Sequence, residues 1–464
     1  MVVIGSPDSI LWLNGSQMGA VIVCFFRYPR SNMSVFAKAP ASRSVRAVVT
    51  GIAMVGVSAL LLTGCSSGGT DTPAGDGTPS ASGDFKEIEA GDRDLTLKIG
   101  TILPQSGALA FLGPPEEAGV KLAVQDINDA GLGITVDATL LDSGDTQTDI
   151  ATVSVTDLLS RDVSAIVGAA SSGVSKTVID KITGAGVVHF SPANTSEDFT
   201  NYPDDDLYWR TAPSDLLQGE VLGNQIAADG NATLGMIVLN DAYGTGLAAS
   251  TKAAFEAAGG EVVAQSLFNE GDSSFDAQIS DVTAAAPDAI VLITFDQSKV
   301  IVPTLTGTGF PGDKLYFVDG NLFDYSADFA PGTITGAKGT LPGLDVGGLG
   351  DFTDRLLEID DSLVNFSYAA ESYDAVVLIA LAAYAANDVS GRSIADHLRQ
   401  ISGGTGDGVK VTDFAAGAEA LANGEQIDYD GFSGPVTFDE HGDPTEATIG
   451  IYEFAEDSTY SRIN

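Results

Sequence analysis

Cysteine and histidine are nearly missing from this chain. Its 464 residues hold two cysteines, Cys24 and Cys65, and three histidines, His189, His397 and His441. Only Cys65 remains after removal of the N-terminal leader described below. A single cysteine excludes a disulfide framework and a cysteine-based metal site. The histidines fall in three unrelated segments, without the spacing of a ligand cluster such as HExxH. We therefore expect neither a metal nor a cofactor.

Basic residues are also few. Lys and Arg number 22 against 63 Asp and Glu, for a formal net charge of −41. This excludes binding to nucleic acid or to an anionic membrane through a basic patch. The acids are spread along the whole chain, as on a solvated surface. Asp142, Asp145 and Asp149 share one loop, but their spacing is not that of an EF-hand, so we expect a polar loop with Asp149 at a helix N-terminus.

Catalytic motifs are missing as well. The sequence has no G-x-S-x-G elbow, no P-loop and no C-x-x-C pair. The segment 307–312 matches G-x-G-x-x-G, but it follows a predicted helix and precedes a predicted strand, the reverse of a dinucleotide site. Pro311 also removes one main-chain amide from it. This segment is predicted to be a turn, and the chain is not predicted to be an enzyme.

What is present begins with an N-terminal leader. Arg43 and Arg46 precede an apolar run, Ala47–Leu62, and residues 62–65 read Leu-Thr-Gly-Cys. A basic segment followed by a short apolar one is typical of a signal peptide, and the last four residues match the bacterial lipoprotein box. A plain transmembrane anchor is the alternative, but the run is shorter than the roughly 20 residues that a spanning helix needs. We predict a signal region over 1–64 and lipidation of Cys65.

Two segments flank this box. Residues 1–32 precede Met33, which would start a lipoprotein signal of ordinary length, so our hypothesis is that translation begins at Met33. Residues 66–84 are rich in Gly, Ser, Thr and Pro and lack a hydrophobic pattern. Such a composition favours a flexible linker, and we predict a lipid-anchored tether over 65–94 on the extracytoplasmic face of the bacterial membrane.

The remainder alternates strand and helix patterns. Strands are predicted at Leu95–Leu103 and Ile134–Asp142, and helices at Ala118–Ile127 and Ile150–Ser160. The pattern restarts after Tyr208–Asp215. Strands that alternate with helices indicate a parallel sheet, so the fold class is α/β with two Rossmann-like lobes.

One βαβ unit carries the most polar loops. A strand at 165–167 leads into the small-residue loop Gly168–Gly173, then a helix, a strand at 187–190 and the exit loop Ser191–Ser196. A right-handed βαβ unit places the ends of both strands at one edge of the sheet, where open α/β sheets bind small molecules. Hydroxyl groups, main-chain amides and a helix N-terminus together favour a carboxylate.

These two loops resemble the ligand loops of the leucine/isoleucine/valine-type solute-binding proteins, the extracytoplasmic receptors of ABC importers. The segment Ser433–Asp443 is similar to their terminal hairpin. The resemblance spans about residues 95–460 and implies the type I periplasmic-binding-protein fold, with two lobes and a three-segment hinge. It implies an N-terminal lobe at 95–212 and 340–432, a C-terminal lobe at 213–339 and a terminal hairpin at 433–464.

The resemblance also implies ligand contacts from the first lobe. Ser172 and Thr195 would offer their hydroxyl groups, and Ala193 its main chain, to the α-carboxylate and α-ammonium of an amino acid. The alternative is that Ser172 and Thr195 only cap helices or turns. Phe111 and Leu112 would pack on the ligand's side chain. Some relatives carry a larger ring in place of Leu112, which leaves the size of that pocket open.

From the second lobe the resemblance implies Tyr243, which closes over the ligand, the aromatic Phe295, and Asp319 as the partner of the ammonium group. A carboxylate in a closed, dry cleft needs a cation, so Asp319 favours an amine-bearing ligand. The alternative for Asp319 is a turn residue that precedes Gly320.

The resulting expectation is a monomeric, lipid-anchored receptor that binds an amino acid, branched-chain or similar, and delivers it to ABC permease subunits. Two alternatives keep the fold: a receptor for urea, short amides or another small solute, and a sensor lobe for signalling. An enzyme on the same scaffold is a third alternative. The sequence contains no recognisable nucleophile–base pair or metal cluster, which argues against an enzyme.

Overall fold

A computed structural model describes residues 86–345, 348–406 and 408–464. The predictions for the signal region, for Met33 and for Cys65 lie outside these residues, as does most of the predicted tether. The described chain folds into two α/β lobes, each built around its own sheet. This is the predicted fold class.

The strands of the described chain, in order, are β1 Leu95–Leu103, β2 Ile134–Asp142, β3 Ala165–Gly168, β4 Val188–Ser191, β5 Tyr208–Arg210, β6 Thr233–Leu239, β7 Glu261–Phe268, β8 Ala289–Ile293, β9 Leu315–Phe317, β10 Lys338–Pro342, β11 Val409–Val411, β12 Ile427–Gly431, β13 Gly434–Pro435, β14 Ile449–Phe454 and β15 Tyr460–Arg462. The helices are α1 Gly113–Ala130, α2 Ile150–Ser160, α3 Ser172–Thr183, α4 Asp215–Ala228, α5 Ala242–Ala257, α6 Asp276–Ala284, α7 Ser298–Gly307, α8 Gly350–Ile359, α9 Ala369–Ala386, α10 Gly391–Ile401 and α11 Phe414–Ala422.

The first lobe contains a parallel five-stranded sheet in the order β2-β1-β3-β4-β5. Helix α9 packs against α1, α10 and α11 in this lobe, and every residue from Ala369 to Ala385 is buried. By length and composition α9 could cross a membrane, but 94% of it lies inside the protein, so it is the central core helix. Its apolar residues occur on all sides, as expected for a helix that is covered all round.

The second lobe contains a seven-stranded sheet in the order β15-β14-β10-β9-β8-β6-β7. Strands β6 to β10 run parallel, whereas β14 pairs antiparallel with β10 and β15. The chain therefore crosses between the lobes three times: after β5, after β10 and before β14. The sequence predicts that the chain returns to the first lobe at residue 340, but this residue lies within strand β10 of the second lobe.

Several helices begin earlier than the sequence pattern predicts. Helix α1 starts at Gly113 because Pro114 and Pro115 occupy its first turn, where a missing N–H costs nothing. Helix α5 starts at Ala242, five residues before Leu247, where the apolar pattern predicts its start, because the Asp241 side chain accepts a hydrogen bond from Gly244 N. Helix α9 starts at Ala369, three residues before Ser372, where the sequence pattern predicts its opening, and its N-cap residue has a left-handed backbone.

Two other segments differ from expectation. Residues 86–94, assigned by sequence to the tether, lie against the first lobe: Ile88 is buried, and Arg93 Nε donates to Tyr384 O at 2.9 Å. The hairpin predicted near 433–443 amounts to the two-residue strand β13 and a single bridge between Phe438 and Pro444. The long terminal hairpin is instead β14–β15.

The glycine motif, the aspartate loop and His189 lie at the following positions in the fold. Gly309 has φ +94° in the turn between α7 and β9, so the G-x-G-x-x-G segment is a turn as predicted. Asp149 is the N-cap residue of α2, while the Asp142 carboxylate accepts from the amides of residues 105, 106 and 144. His189 is fully buried. Within the described residues, no group of three or more His, Cys, Asp and Glu is placed to hold a metal ion.

Candidate ligand-binding site

A small cavity lies between the lobes, at the carboxyl ends of their central strands. The space not filled by atoms is about 260 Å³, which includes solvent at the mouth of the cavity. The cavity is lined by Leu109, Leu112, Ala170, Ser171, Ser172, Ala193, Thr195, Tyr243, Phe295, Asp319, Gly320 and Tyr368.

The first-lobe side of the cavity is made by the two predicted loops. Ser171, and not Ser172, is the N-cap residue of α3: its side chain accepts from Val174 N at 3.3 Å. Ser172 accepts from Ser196 N at 3.4 Å, which ties the two loops together. Thr195 is 1% exposed and lies in the cavity wall. Ser171 therefore caps α3, while Ser172 and Thr195 line the cavity.

A buried arginine holds this side in place. Arg210 Nη1 donates to the carbonyls of Ser196, at 2.7 Å, and Asn194, at 3.3 Å. Its Nε and Nη2 donate to the two carboxylate oxygens of Asp443 at 2.7 and 2.9 Å, and Nη2 also donates to Thr200 Oγ1. Every nitrogen of this fully buried guanidinium has a partner. The exit loop is thereby fixed to the segment that precedes β14.

The second-lobe side is centred on a buried carboxylate. Asp319 Oδ1 accepts from Tyr243 Oη at 2.6 Å and Gln218 Nε2 at 3.0 Å, and Oδ2 accepts from Tyr368 Oη at 2.8 Å. Burial raises the pKa of Asp319, and the hydrogen bonds from Tyr243, Tyr368 and Gln218 act in the opposite direction. The donors orient the carboxylate but bring no positive charge to it.

Aromatic rings complete this side. Tyr243 stacks on Phe295 with ring centroids 5.5 Å apart and an interplanar angle of 18°. Gly320 N donates to Tyr243 Oη at 3.3 Å. A Cβ at Gly320 would come within 2.8 Å of Phe295 Cδ1, so the glycine lets the Asp319 turn approach the ring. The predicted Tyr243, Phe295 and Asp319 thus lie together in the cavity wall.

Tyr368 is a cavity residue that the sequence does not reveal. It is the N-cap residue of α9, with φ +60° and ψ +10°, a left-handed conformation that costs a non-glycine residue free energy. In this conformation the Tyr368 side chain extends from the start of α9 to the second lobe, where its hydroxyl donates to Asp319 Oδ2. A tyrosine four residues before the predicted helix core carries no motif, so only the folded chain brings it to the site.

The apolar end of the cavity is formed by Leu109 and Leu112, both buried. Phe111 lies outside the wall and packs against Phe323, with ring centroids 4.7 Å apart. The physical reason is the turn that precedes α1: adjacent residues point in different directions, so Leu112 enters the cavity and Phe111 faces the second-lobe surface. The prediction that Phe111 lies beside the ligand is therefore not supported by its position.

A broader, open groove occurs elsewhere, along β15 and the segment 364–367. It carries Arg462, whose Nη1 donates to Gly343 O at 3.3 Å, and an exposed Val364. None of the predicted ligand residues lines it. The smaller cavity is the candidate site because polar groups from both lobes converge there.

Comparison with known proteins identifies the family to which this fold belongs. Residues 96–458 match the family model described as periplasmic binding protein. A relative in Halobacterium salinarum, named as a chemotactic signal transduction system substrate-binding protein, is 25% identical over 73% of this chain and 83% of its own length. The leucine-, isoleucine-, valine-, threonine- and alanine-binding protein of Pseudomonas aeruginosa is 25% identical over 79% and 92%.

A solved structure has the same fold. The leucine-binding protein of Thermotoga maritima superimposes with a TM-score of 0.65 at 19% identity, covering 79% of this chain and 98% of its own. The family consists of non-catalytic binding proteins, in agreement with the prediction that the chain is not an enzyme. With a family model matching most of its length and two parallel-sheet lobes around a cleft, the chain belongs to the periplasmic binding protein family, as an extracytoplasmic solute-binding protein of the ABC-transporter type.

Proposed function

We propose that this protein binds an amino acid, branched-chain or of similar size, in the cavity between its lobes. The observation that carries the proposal is Asp319, a carboxylate that is 6% exposed in a cavity whose described lining includes no Lys or Arg. A buried carboxylate needs a cation, and the ligand's ammonium group supplies one.

The rest of the cavity matches the other parts of such a ligand. Ser172 and Thr195 offer hydroxyl groups near the N-terminus of α3, a place that favours a carboxylate. Leu109, Leu112 and Phe295 offer an apolar surface for a short aliphatic side chain. The names of several relatives, which refer to leucine, isoleucine and valine, agree with this choice.

The wider role follows from the family and the leader sequence. We infer that Cys65 carries a lipid, that the receptor is held at the extracytoplasmic face of the membrane as a monomer, and that it delivers its ligand to ABC permease subunits. Cys65→Ser should release the protein from the membrane fraction. A variant that stays membrane-bound would contradict the lipid anchor.

A second candidate role is supported by the Halobacterium relative, whose name places it in chemotactic signalling. The same closed, ligand-bound lobes would then contact a signalling protein in place of a permease. Uptake of labelled ligand by cells with and without the gene separates the two roles. Transport that persists in its absence, together with a lost behavioural response, favours the sensor.

The binding test is calorimetric titration of the purified protein after unfolding and refolding to remove any carried ligand. The panel contains branched-chain and other amino acids, urea, short amides and aromatic acids. Heat confined to α-amino acids supports the proposal. Binding of amides alone would keep a receptor of this fold and discard the ammonium role of Asp319.

Asp319→Asn is the matching variant. Affinity should fall at least about 30-fold, because truncating one partner of a buried charge pair costs 2–5 kcal/mol. Asp205→Asn is the control: its side chain is 96% exposed and its left-handed backbone accepts asparagine. Unchanged affinity in Asp319→Asn would remove Asp319 from the site.

A further inference from the structure

A second buried acid lies beside the cavity without a cation paired to it. Asp215, the first residue of α4, is fully buried, and neither of its carboxylate oxygens accepts a hydrogen bond of ordinary geometry from the described residues. Its main-chain N–H donates to Thr195 O at 2.7 Å, which places it directly behind the cavity wall. An unpaired carboxylate in such a place is too costly to keep charged.

The nearest cation does not neutralise it. Arg210 is close enough to act on Asp215 electrostatically, but its nitrogens donate to Asp443, Thr200 and two main-chain carbonyls. Arg210 is already matched in charge by Asp443. Asp215 thus lies near a positive charge that Asp443 already balances.

The other titratable groups around Asp215 add negative charge or none. Asp319 faces it from the turn after β9, and Asp241 from the N-terminus of α5. Tyr243 and Tyr368 also lie within electrostatic range. Burial, followed by the charge of Asp319, raises the pKa of Asp215 well above its ordinary value. A weak hydrogen bond from the Thr195 side chain and the charge of Arg210 act in the opposite direction with smaller effect.

We propose that Asp215 stores a proton in the ligand-free protein and that an ammonium-bearing ligand displaces it. This inference rests on the proposed function and adds a chemical exchange to it. The Asp215 O–H bond breaks, the proton leaves to solvent, and the carboxylate stays behind as a second negative charge near the ligand's ammonium group. The ligand's ammonium group thereby takes the place of the released proton as the positive charge beside these carboxylates.

The exchange fixes how affinity depends on pH. A ligand that binds with release of one proton gains affinity as pH rises, up to tenfold per pH unit while Asp215 is protonated in the ligand-free protein. Affinity levels off once the ligand-free protein has lost that proton. The range from pH 5.5 to 8 avoids titration of the ligand's own ammonium group.

Asp215→Asn separates this role from a structural one. Asparagine resembles the protonated acid but has no proton to release. The variant should match the wild-type affinity at pH 5.5 and fall progressively behind it toward pH 8. A merely structural loss would lower affinity by the same factor at every pH. Asp205→Asn, on the surface, should follow the wild type throughout.

The first experiment is calorimetric titration of the purified protein with leucine in two buffers of different ionisation enthalpy. The wild type should release close to one proton per leucine, and Asp215→Asn markedly less. Binding without net proton exchange, or proton release that is unchanged in Asp215→Asn, would overturn the proposal.

A further measurement keeps the proposal testable should leucine and the other amino acids fail to bind, which would refute the proposed function by itself. The infrared carbonyl band of protonated carboxylic acids is compared between ligand-free wild type and Asp215→Asn at pH 7. A band present in the wild type and lost in the variant supports the stored proton. Identical spectra would overturn it.

Discussion

The two sides of the cavity are built by different means. The first-lobe side consists of small residues whose main chain is held by Arg210, a guanidinium paired with Asp443 and with loop carbonyls. The second-lobe side consists of large side chains held around Asp319, a carboxylate with three neutral donors. One side therefore contains a satisfied charge behind a rigid backbone, whereas the other exposes an unsatisfied charge to the cavity. Ligand recognition depends on the second-lobe side, and the shape of the cavity depends on the first-lobe side.

Arg210→Met removes the guanidinium that holds the first-lobe side and leaves the three donors to Asp319 in place. It should lower the free energy of unfolding by about 3–5 kcal/mol, because Asp443 is left buried without its cation. Urea denaturation measures this. The double variant Arg210→Met/Asp443→Leu should recover part of the loss, since no charge is then unpaired. A single variant as stable as the wild type would refute the role of Arg210 as the brace.

Glu371→Gln tests a buried acid at the hinge between the two sides. Glu371 lies in the first turn of α9. Burial raises the pKa of Glu371 to about 8. The folded protein thus holds a proton that the unfolded chain releases above pH 4.5, so stability falls as pH rises from 4.5 to about 8. That loss is about 1.4 kcal/mol per pH unit.

Glutamine cannot lose that proton, so Glu371→Gln should be more stable than the wild type at pH 8, with the difference shrinking toward pH 5. Urea denaturation across this range tests the expectation. Glu261→Gln, at an exposed position on β7, is the control. Parallel pH profiles for the wild type and Glu371→Gln would contradict the assignment.

Tyr368→Phe weakens the second-lobe side by a single hydrogen bond to Asp319. Affinity for the ligand should fall about 10- to 100-fold, since a hydrogen bond to a charged group contributes about 1.5–3 kcal/mol. Tyr325→Phe is the control: its hydroxyl bonds Ser298 Oγ and Asn321 O, both at 2.7 Å, away from the cavity. It should lower stability and leave affinity unchanged. Equal affinities for Tyr368→Phe and the wild type would show that the bond does not support binding.

Thr195→Val asks whether the first-lobe side contributes side chains or only main chain. It should cost about 1–3 kcal/mol of binding free energy if the hydroxyl pairs with the ligand, and Thr195→Ser should retain most of the affinity. Calorimetric titration compares them. If valine binds as well as threonine, the first-lobe side acts through its backbone alone.

Much of the fold could be predicted because its strongest signals are local. Strands β1 and β2 and helix α2 have the predicted bounds, since each is a compact apolar pattern between turn residues. The start of α5 could not be predicted in this way because the capping bond to Asp241 lies outside the apolar pattern. Strand β10 could not be predicted because its pairing with β9 and β14 is not encoded within its five residues.

The site could be predicted only in part, for a related reason. Ser172, Ala193 and Thr195 follow strands in a recognisable βαβ unit, and the folded chain brings them to one cavity with Tyr243 and Asp319. Two further residues, Tyr368 and Asp215, carry no comparable signal. Tyr368 depends on an unusual backbone conformation, and Asp215 has the sequence context of any acid in the first turn of a helix.

The low exposure of the cavity wall has a kinetic consequence. Ser172, Thr195, Tyr243, Phe295 and Tyr368 are each at most 3% exposed, so little of the wall is open to solvent while the lobes keep this arrangement. Entry and exit both wait for the Asp319–Tyr368 bond and its neighbours to separate. The association rate should therefore reach a ceiling at high ligand concentration, set by the frequency of opening. Once the lobes close, the same wall lengthens the time that the ligand stays bound.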